Sequence, residues 1–231
     1  MQDVETRIPS IPQATRIGLF RGHGYQWFKR SVDLVVTWSL LLAFGLPMLL
    51  IAAAIKLHSP GPVFYRQQRI GKDGVPFTML KFRSMRLGTD SEIHRRHMQR
   101  LIRDNMRPED LGAASLKMSR DPRITGVGKV LRKCGLDELP QLFNVLRGEM
   151  SLVGPRPPLP YEYELYNEWH KQRLAVLPGI TGLWQVTAHN TVSFEEMVQI
   201  DLEYIASMSL WLDLKIMVAT PVEMLRGKGG G

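Results

Sequence analysis

The chain has one cysteine, Cys134, in 231 residues. That excludes an internal disulfide framework and a cysteine-rich zinc site, and it fits a reducing, cytoplasmic setting. Acidic residues are in deficit: Asp+Glu number 22 against Lys+Arg 30, a formal net charge of +8. Such an excess favours an anionic partner, whether nucleic acid, an anionic membrane surface or phosphorylated substrates. There is no Walker A lysine loop, and no G-x-G-x-x-G follows a strand. His94 and His97 stand one helical turn apart with no third ligand placed, which argues against zinc. No histidine is positioned to activate Cys134, which reads as a small buried residue. Ser59 lacks the setting of a nucleophile elbow. There is no internal repeat, and no low-complexity tract beyond Gly229-Gly230-Gly231. Hydrophobic residues at 44% and charged residues at 23% argue against a disordered chain.

Charge is also missing from one long stretch. Leu34 to Ile55, LVVTWSLLLAFGLPMLLIAAAI, is about 22 residues without a charged side chain. About 20 helical residues suffice to cross a bilayer. The run starts too far from the N-terminus for a signal peptide, and no small-residue cleavage site follows it. Pro47 predicts a kink, because it removes a helical hydrogen bond and crowds the preceding turn. Lys29 and Arg30 precede the block, and Lys56, Arg66, Arg69, Lys72 and Lys81 follow it. Basic flanks prefer the cytoplasmic side. Two topologies stay open on these residues: a re-entrant hairpin with both ends on one face, and a single span. Asp33, at the edge, is expected at headgroup depth.

The remaining sequence reads as α+β, mainly helical. Residues 1–26 form an N-terminal arm without clear periodicity. Val63–Ile70 and Phe77–Met85 read as two strands around Gly71-Lys72-Asp73-Gly74, a small hairpin carrying Arg66, Arg69, Lys81 and Arg83. Ser91–Met106 reads as a basic helix. Further helices are expected from Asp121-Pro122 to Lys133, from Asp137 to Leu146, and over Tyr161–Val176. Gly154-Pro155-Arg156-Pro157-Pro158 must be a rigid loop. Pro178 to Gly182 reads as a second loop leading to a strand at Leu183–Val186. Ser193–Met208 is amphipathic, and Leu210–Leu225 suits either the membrane interface or the core.

The chemistry gathers around Asp137-Glu138. Adjacent helical residues point about 100° apart, so two carboxylates here can take different tasks. An aspartate at a helix start also reads as an N-cap. Its neighbours are Lys129, Arg132 and Lys133 upstream, and Arg147 and the proline-braced Arg156 downstream. An acidic pair in basic surroundings suits a phosphate site: guanidinium forks bind phosphate oxygens, and a carboxylate beside phosphates can hold Mg²⁺ or attack phosphorus.

The string KVLRKCGLDELPQLFNVLRGEMSLVGPRPPLP (Lys129–Pro160) resembles the signature of the bacterial sugar transferases, the monotopic phosphoglycosyl transferases. SPGPVFYRQQRIGKDGVPFTMLKFRSM (Ser59–Met85), PGITGLWQV (Pro178–Val186), LDLKIMVATPVEML (Leu212–Leu225) and the apolar block with its proline agree. The resemblance covers about residues 27–226. It implies transfer of a phosphosugar from a nucleoside diphosphate sugar, usually a UDP-sugar, to undecaprenyl phosphate, releasing UMP. It implies Asp137 as the nucleophile of a covalent phosphosugar intermediate assisted by Mg²⁺, with Asp137 as metal residue. Glu138 would help deprotonate the acceptor. Lys81, Arg132 and Arg156 would hold phosphates. It further implies a re-entrant membrane helix broken at Pro47 over residues 27–57, and a catalytic domain over 58–226 facing the cytoplasm from the bacterial inner membrane. Residues 227–231 would be a flexible tail, and amphipathic helices would lie at the interface. Some members have serine before that proline, where this chain has Leu46. The expected partners are the donor, the lipid acceptor, inner-membrane lipids and downstream glycosyltransferases, and no nucleic acid. Two other readings compete: a Mg²⁺-dependent nucleotide-sugar hydrolase, and a membrane-anchored basic binding module.

Overall fold

The apolar block forms the longest element of the fold. In the computed structural model, which describes residues 23–85, 92–105, 124–188 and 192–225, helix α1 runs from His23 to His58. It takes in residues 23–26, which the sequence placed with the arm. Pro47 lies inside this one helix, and its missing N–H leaves the carbonyl of Ala43 without the usual donor. Among the described residues α1 is the one helix long and apolar enough to cross a membrane, a weak sign by itself.

Both halves of α1 pack on the same body. Val36, Leu40 and Leu41 lie against the main core, and Met48, Ile51, Ala52 and Ile55 against a second cluster with Phe82, Leu131 and Phe143. The other faces of the helix expose Trp27, Phe28, Val35, Trp38, Leu42, Leu46, Leu49 and Leu50. Polar side chains key the ends. Lys29 donates to Asp213 Oδ2 at 2.6 Å and to the Val153 carbonyl at 3.2 Å. Arg30 donates to the carbonyls of Val145 and Leu146. Asp33 is buried, accepting from Ser151 Oγ at 2.7 Å, so it faces protein rather than headgroups. Beyond the far end, buried Arg83 donates to the carbonyls of Ser59 and Pro60.

Strands β1 (Phe64–Ile70) and β2 (Pro76–Phe82) pair antiparallel around a 3-10 turn, Lys72–Gly74. The alternation places Tyr65, Gln67 and Arg69 with Lys81, Met79 and Phe77 on one face. Helix α2 spans Glu92–Arg103, and Leu101 and Ile102 are its buried contacts. The side chains of His94 and His97, like residues 121–123, lie outside the described set. Helix α3 is Gly126–Lys133, capped by Thr125, whose Oγ1 accepts from Gly128 N at 2.9 Å. Helix α4 is Gln141–Arg147.

The C-terminal half differs from the sequence reading in three places. Ser151–Val153 (β3), to which the sequence assigned no element, and Gly179–Thr181 (β4), expected in a loop, form a short parallel pair. The stretch 161–176 breaks into α5 (Pro160–Tyr163), α6 (Glu168–Lys171) and a 3-10 turn (Gln172–Ala175), because Asn167 stops one helix by capping the next. The strand expected at Leu183–Val186 is helix α7 (Leu183–Thr187), whose Trp184 is buried in the core. Helices α8 (Phe194–Ser207) and α9 (Leu210–Leu225) follow as expected. α9 buries Asp213 and Ile216 and exposes Trp211, Leu214, Val218 and Val222.

Candidate active site

Asp137 does not begin a helix. After α3 the chain turns at Gly135, φ 64°, a left-handed conformation that glycine adopts without penalty. A short 3-10 turn, Leu136–Glu138, then carries both carboxylates, and Pro140 precedes α4. Asp137 caps no helix. It is buried at 6% exposure, while Glu138 is partly open. Cys134, expected to be buried, is exposed because it ends α3 on the outer side of this turn.

Lys81 reaches the pair from β2. Its Nζ lies 2.6 Å from Glu138 Oε1. Asn144, fully buried on α4, fixes that strand. Its Oδ1 accepts from Leu80 N at 3.0 Å, and its Nδ2 donates to the Thr78 carbonyl at 2.7 Å and to Glu149 Oε2 at 2.6 Å. The acid and the lysine therefore come from segments 57 residues apart and are joined by a side chain that sequence reasoning did not single out. A buried asparagine one turn into α4 carries that signal only in the folded chain.

Burial is the main influence on Asp137 and raises its pKa above the ordinary carboxylate range. The Glu138 charge raises it further, while Lys81 and Arg132 pull it down. Three of the expected site residues, Asp137, Glu138 and Lys81, thus form one cluster, with Arg132 in its field. Arg156 stands on the irregular segment after β3. Its charge acts on Arg69 and on Tyr161, and Glu138 also acts on Arg69. Arg69 and Arg83, two of the hairpin's basic residues, are buried at 4% and 3% exposure and bound to backbone carbonyls.

A turn-borne carboxylate, an adjacent carboxylate paired with lysine, and guanidinium groups nearby can together bind phosphates and attack at phosphorus. Among the described residues no group of three or more His, Cys, Asp and Glu is placed to hold a metal.

Comparisons with known proteins converge on one family. The model for the bacterial sugar transferases matches residues 24–227. The exopolysaccharide production protein ExoY of Rhizobium meliloti is 43% identical over 192 residues, covering 83% of this chain and 83% of that protein. The galactosyl transferase CpsE of Streptococcus agalactiae is 41% identical over 202 residues, 87% of this chain and 43% of CpsE. The UDP-glucose:undecaprenyl-phosphate glucose-1-phosphate transferase of Escherichia coli is 39% identical over 200 residues, 83% of this chain and 39% of the relative. The chain thus spans less than half the length of the last two and most of the length of ExoY. With a family model that covers nearly all of it and a cluster of acidic and basic groups suited to phosphate chemistry, the chain belongs to the bacterial sugar transferase family.

Proposed function

We propose that the protein moves a sugar phosphate from a UDP-sugar to undecaprenyl phosphate, as the names of its relatives describe for them, in two displacements at Asp137. In the first, an Asp137 carboxylate oxygen attacks the sugar-bearing phosphorus. The bond from that phosphorus to the bridging oxygen breaks, and UMP leaves. In the second, an oxygen of the lipid phosphate attacks the same phosphorus, the acyl-phosphate bond breaks, and the Asp137 carboxylate is restored. Glu138 takes the proton from the incoming phosphate. Lys81, Arg132 and Arg156 offset the negative charge of both substrates in turn.

One observation carries the proposal. A buried aspartate held above its usual pKa lies beside Glu138, which is paired with Lys81 from another part of the chain. Carboxyls perturbed by burial and a specific charge partner cluster at functional sites. Asp137 would hold Mg²⁺ through a hard carboxylate oxygen, with substrate phosphate oxygens and water as its other ligands. When bound, the ion would neutralise charge on the transferred phosphoryl group.

The packing of α1 supports a re-entrant placement, with the site at headgroup depth on the cytoplasmic face of the inner membrane. Segments on both sides of Pro47 lie on one charged body, which cannot be immersed in lipid. The exposed stripe of α9, Trp211, Leu214, Val218 and Val222, suits the interface beside it.

The test is UMP release in detergent with Mg²⁺ from UDP-glucose, UDP-galactose, UDP-N-acetylglucosamine and UDP-N-acetylgalactosamine, with and without undecaprenyl phosphate. Turnover that requires the lipid, and that stops on chelation and returns with Mg²⁺, is the expected result. Many turnovers without lipid would replace the transferase with a hydrolase. Asp137→Asn is expected to abolish UMP release, and UMP release retained by that variant would remove the nucleophile assignment.

A further inference from the structure

Between β3 and α5 the chain passes through Gly154-Pro155-Arg156-Pro157-Pro158. Its prolines have no N–H, so regular pairing is impossible, yet four successive carbonyls are each taken. Pro155 O accepts from Gly179 N at 2.9 Å. Arg156 O accepts from Arg173 Nη2 at 3.3 Å. Pro157 O accepts from Arg69 Nη1 at 2.8 Å. Pro158 O accepts from Ile70 N at 3.0 Å. Gly154 N in turn donates to Thr181 O at 2.9 Å.

Two of these donors are buried arginines, Arg69 at 4% and Arg173 at 2% exposure. Neither is open to a ligand. The Nε and Nη2 of Arg69 donate to Gln67 Oε1 at 3.1 and 2.8 Å. Arg173 donates to the Tyr166 hydroxyl at 3.0 Å and pairs with buried Asp201. Burying a guanidinium is costly, and a backbone carbonyl alone does not require one. Their targets are the carbonyl of Arg156 and the carbonyl that follows it.

We infer that Arg69 and Arg173 are positioning residues that hold the backbone at Arg156, so that its guanidinium and its N–H, the one N–H between Pro155 and Pro158, stand ready for a phosphate. This rests on the reading of Arg156 as a phosphate ligand. A preset donor gains because no reorganisation is needed when the charge arrives. The electrostatics agree: burial first and then the Arg156 charge bring the Arg69 guanidinium down to about 10, against the opposing pull of Glu162, Tyr161 and Glu138, so the Arg156 cation is held close enough to act on it.

A double-mutant cycle in the full chain tests this, by UMP release from the four UDP-sugars named above. Arg69→Lys and Arg173→Lys keep the charge and lose the fork geometry. Each is expected to lower kcat/KM about tenfold, and Arg156→Ala about thirtyfold or more. In the Arg156→Ala background, adding either lysine is expected to change kcat/KM less than about twofold, because the group being positioned is gone. A further tenfold loss there would show a general structural role and overturn the inference. Arg156→Ala impaired with both lysine variants fully active would overturn the inference alone. Arg156→Ala at full activity would overturn the phosphate-ligand reading beneath it. If a lysine variant fails to fold, Gln67→Ala and Tyr166→Phe, which leave each arginine and remove a group that orients it, go through the same cycle under the same criteria.

Discussion

Asp137 is under opposing demands. The proposed displacement needs it ionised, whereas burial and the Glu138 charge favour its protonated form. A carboxyl whose folded pKa lies above its unfolded value weakens the fold once pH is high enough to ionise it. That cost disappears as pH falls through the raised folded value toward the ordinary value near 3.8. Asp137→Asn is therefore expected to raise Tm by about a few degrees at pH 7 while abolishing turnover. The Tm gap between variant and parent should close as pH is lowered toward 4 in parallel thermal melts. A gap that widens toward low pH would show that the carboxylate stabilises the fold. Asn144 behaves in the opposite way. It satisfies Leu80 N and the Thr78 carbonyl at once, with no exposure to water. Asn144→Ala leaves both part-buried backbone groups without this partner and is expected to cost about 1–3 kcal/mol in chemical denaturation. It should also loosen the strand that delivers Lys81, raising the KM for the donor.

At the level of elements, the turn that carries the acids depends on Gly135. Its φ of 64° excludes most side chains, and an added Cβ would lie 2.6 Å from Met224 Cε on α9. Gly135→Ala is expected to destabilise by about 1–2 kcal/mol, and Gly135→Ala with Met224→Ala should recover the steric part of that loss in the same unfolding measurement. Where an element follows from local signals, the sequence was legible. Ser193 with Glu196 announces α8, and both reciprocal bonds form, Glu196 N to Ser193 Oγ and Ser193 N to Glu196 Oε2. The hairpin was readable from its Gly-Lys-Asp-Gly turn. The parallel pair of β3 and β4 was not, because three residues per strand carry no periodicity. Its contact rests on Gly154 and Gly179, where a Cβ on Gly179 would lie 2.1 Å from Gly154 N. Leu183–Val186 read as a strand because its apolar residues suit one, yet burial of Trp184 against the core decides for helix. The acids and Arg156 were legible as a motif. The second rank of residues, Asn144, Arg69 and Arg173, was not, because their partners are backbone groups far away in sequence.

At the scale of the molecule the open question is how α1 meets the membrane, and length does not decide it. At 1.5 Å per residue, Asp33 and Ile55 stand about 33 Å apart on a straight helix, close to the thickness of a hydrocarbon core. A single span would put them on opposite faces. Yet Asp33 accepts from Ser151, and Ile55 packs with Phe82 and Leu131, both on the body that carries Asp137. That body bears the basic residues of the site and cannot follow the helix through lipid. Both contacts are satisfied if α1 enters and returns on one face, bending where Pro47 has removed a hydrogen bond, with Leu42, Leu46, Leu49 and Leu50 in the acyl region. Site-directed labelling checks this. In a Cys134→Ser background, which removes the exposed native thiol, Gln26→Cys and His58→Cys should both react with an impermeant maleimide in inside-out vesicles and neither in intact spheroplasts. Leu46→Cys should be protected in both. Reaction of residues 26 and 58 from opposite sides would establish a span and require the body to release one half of the helix.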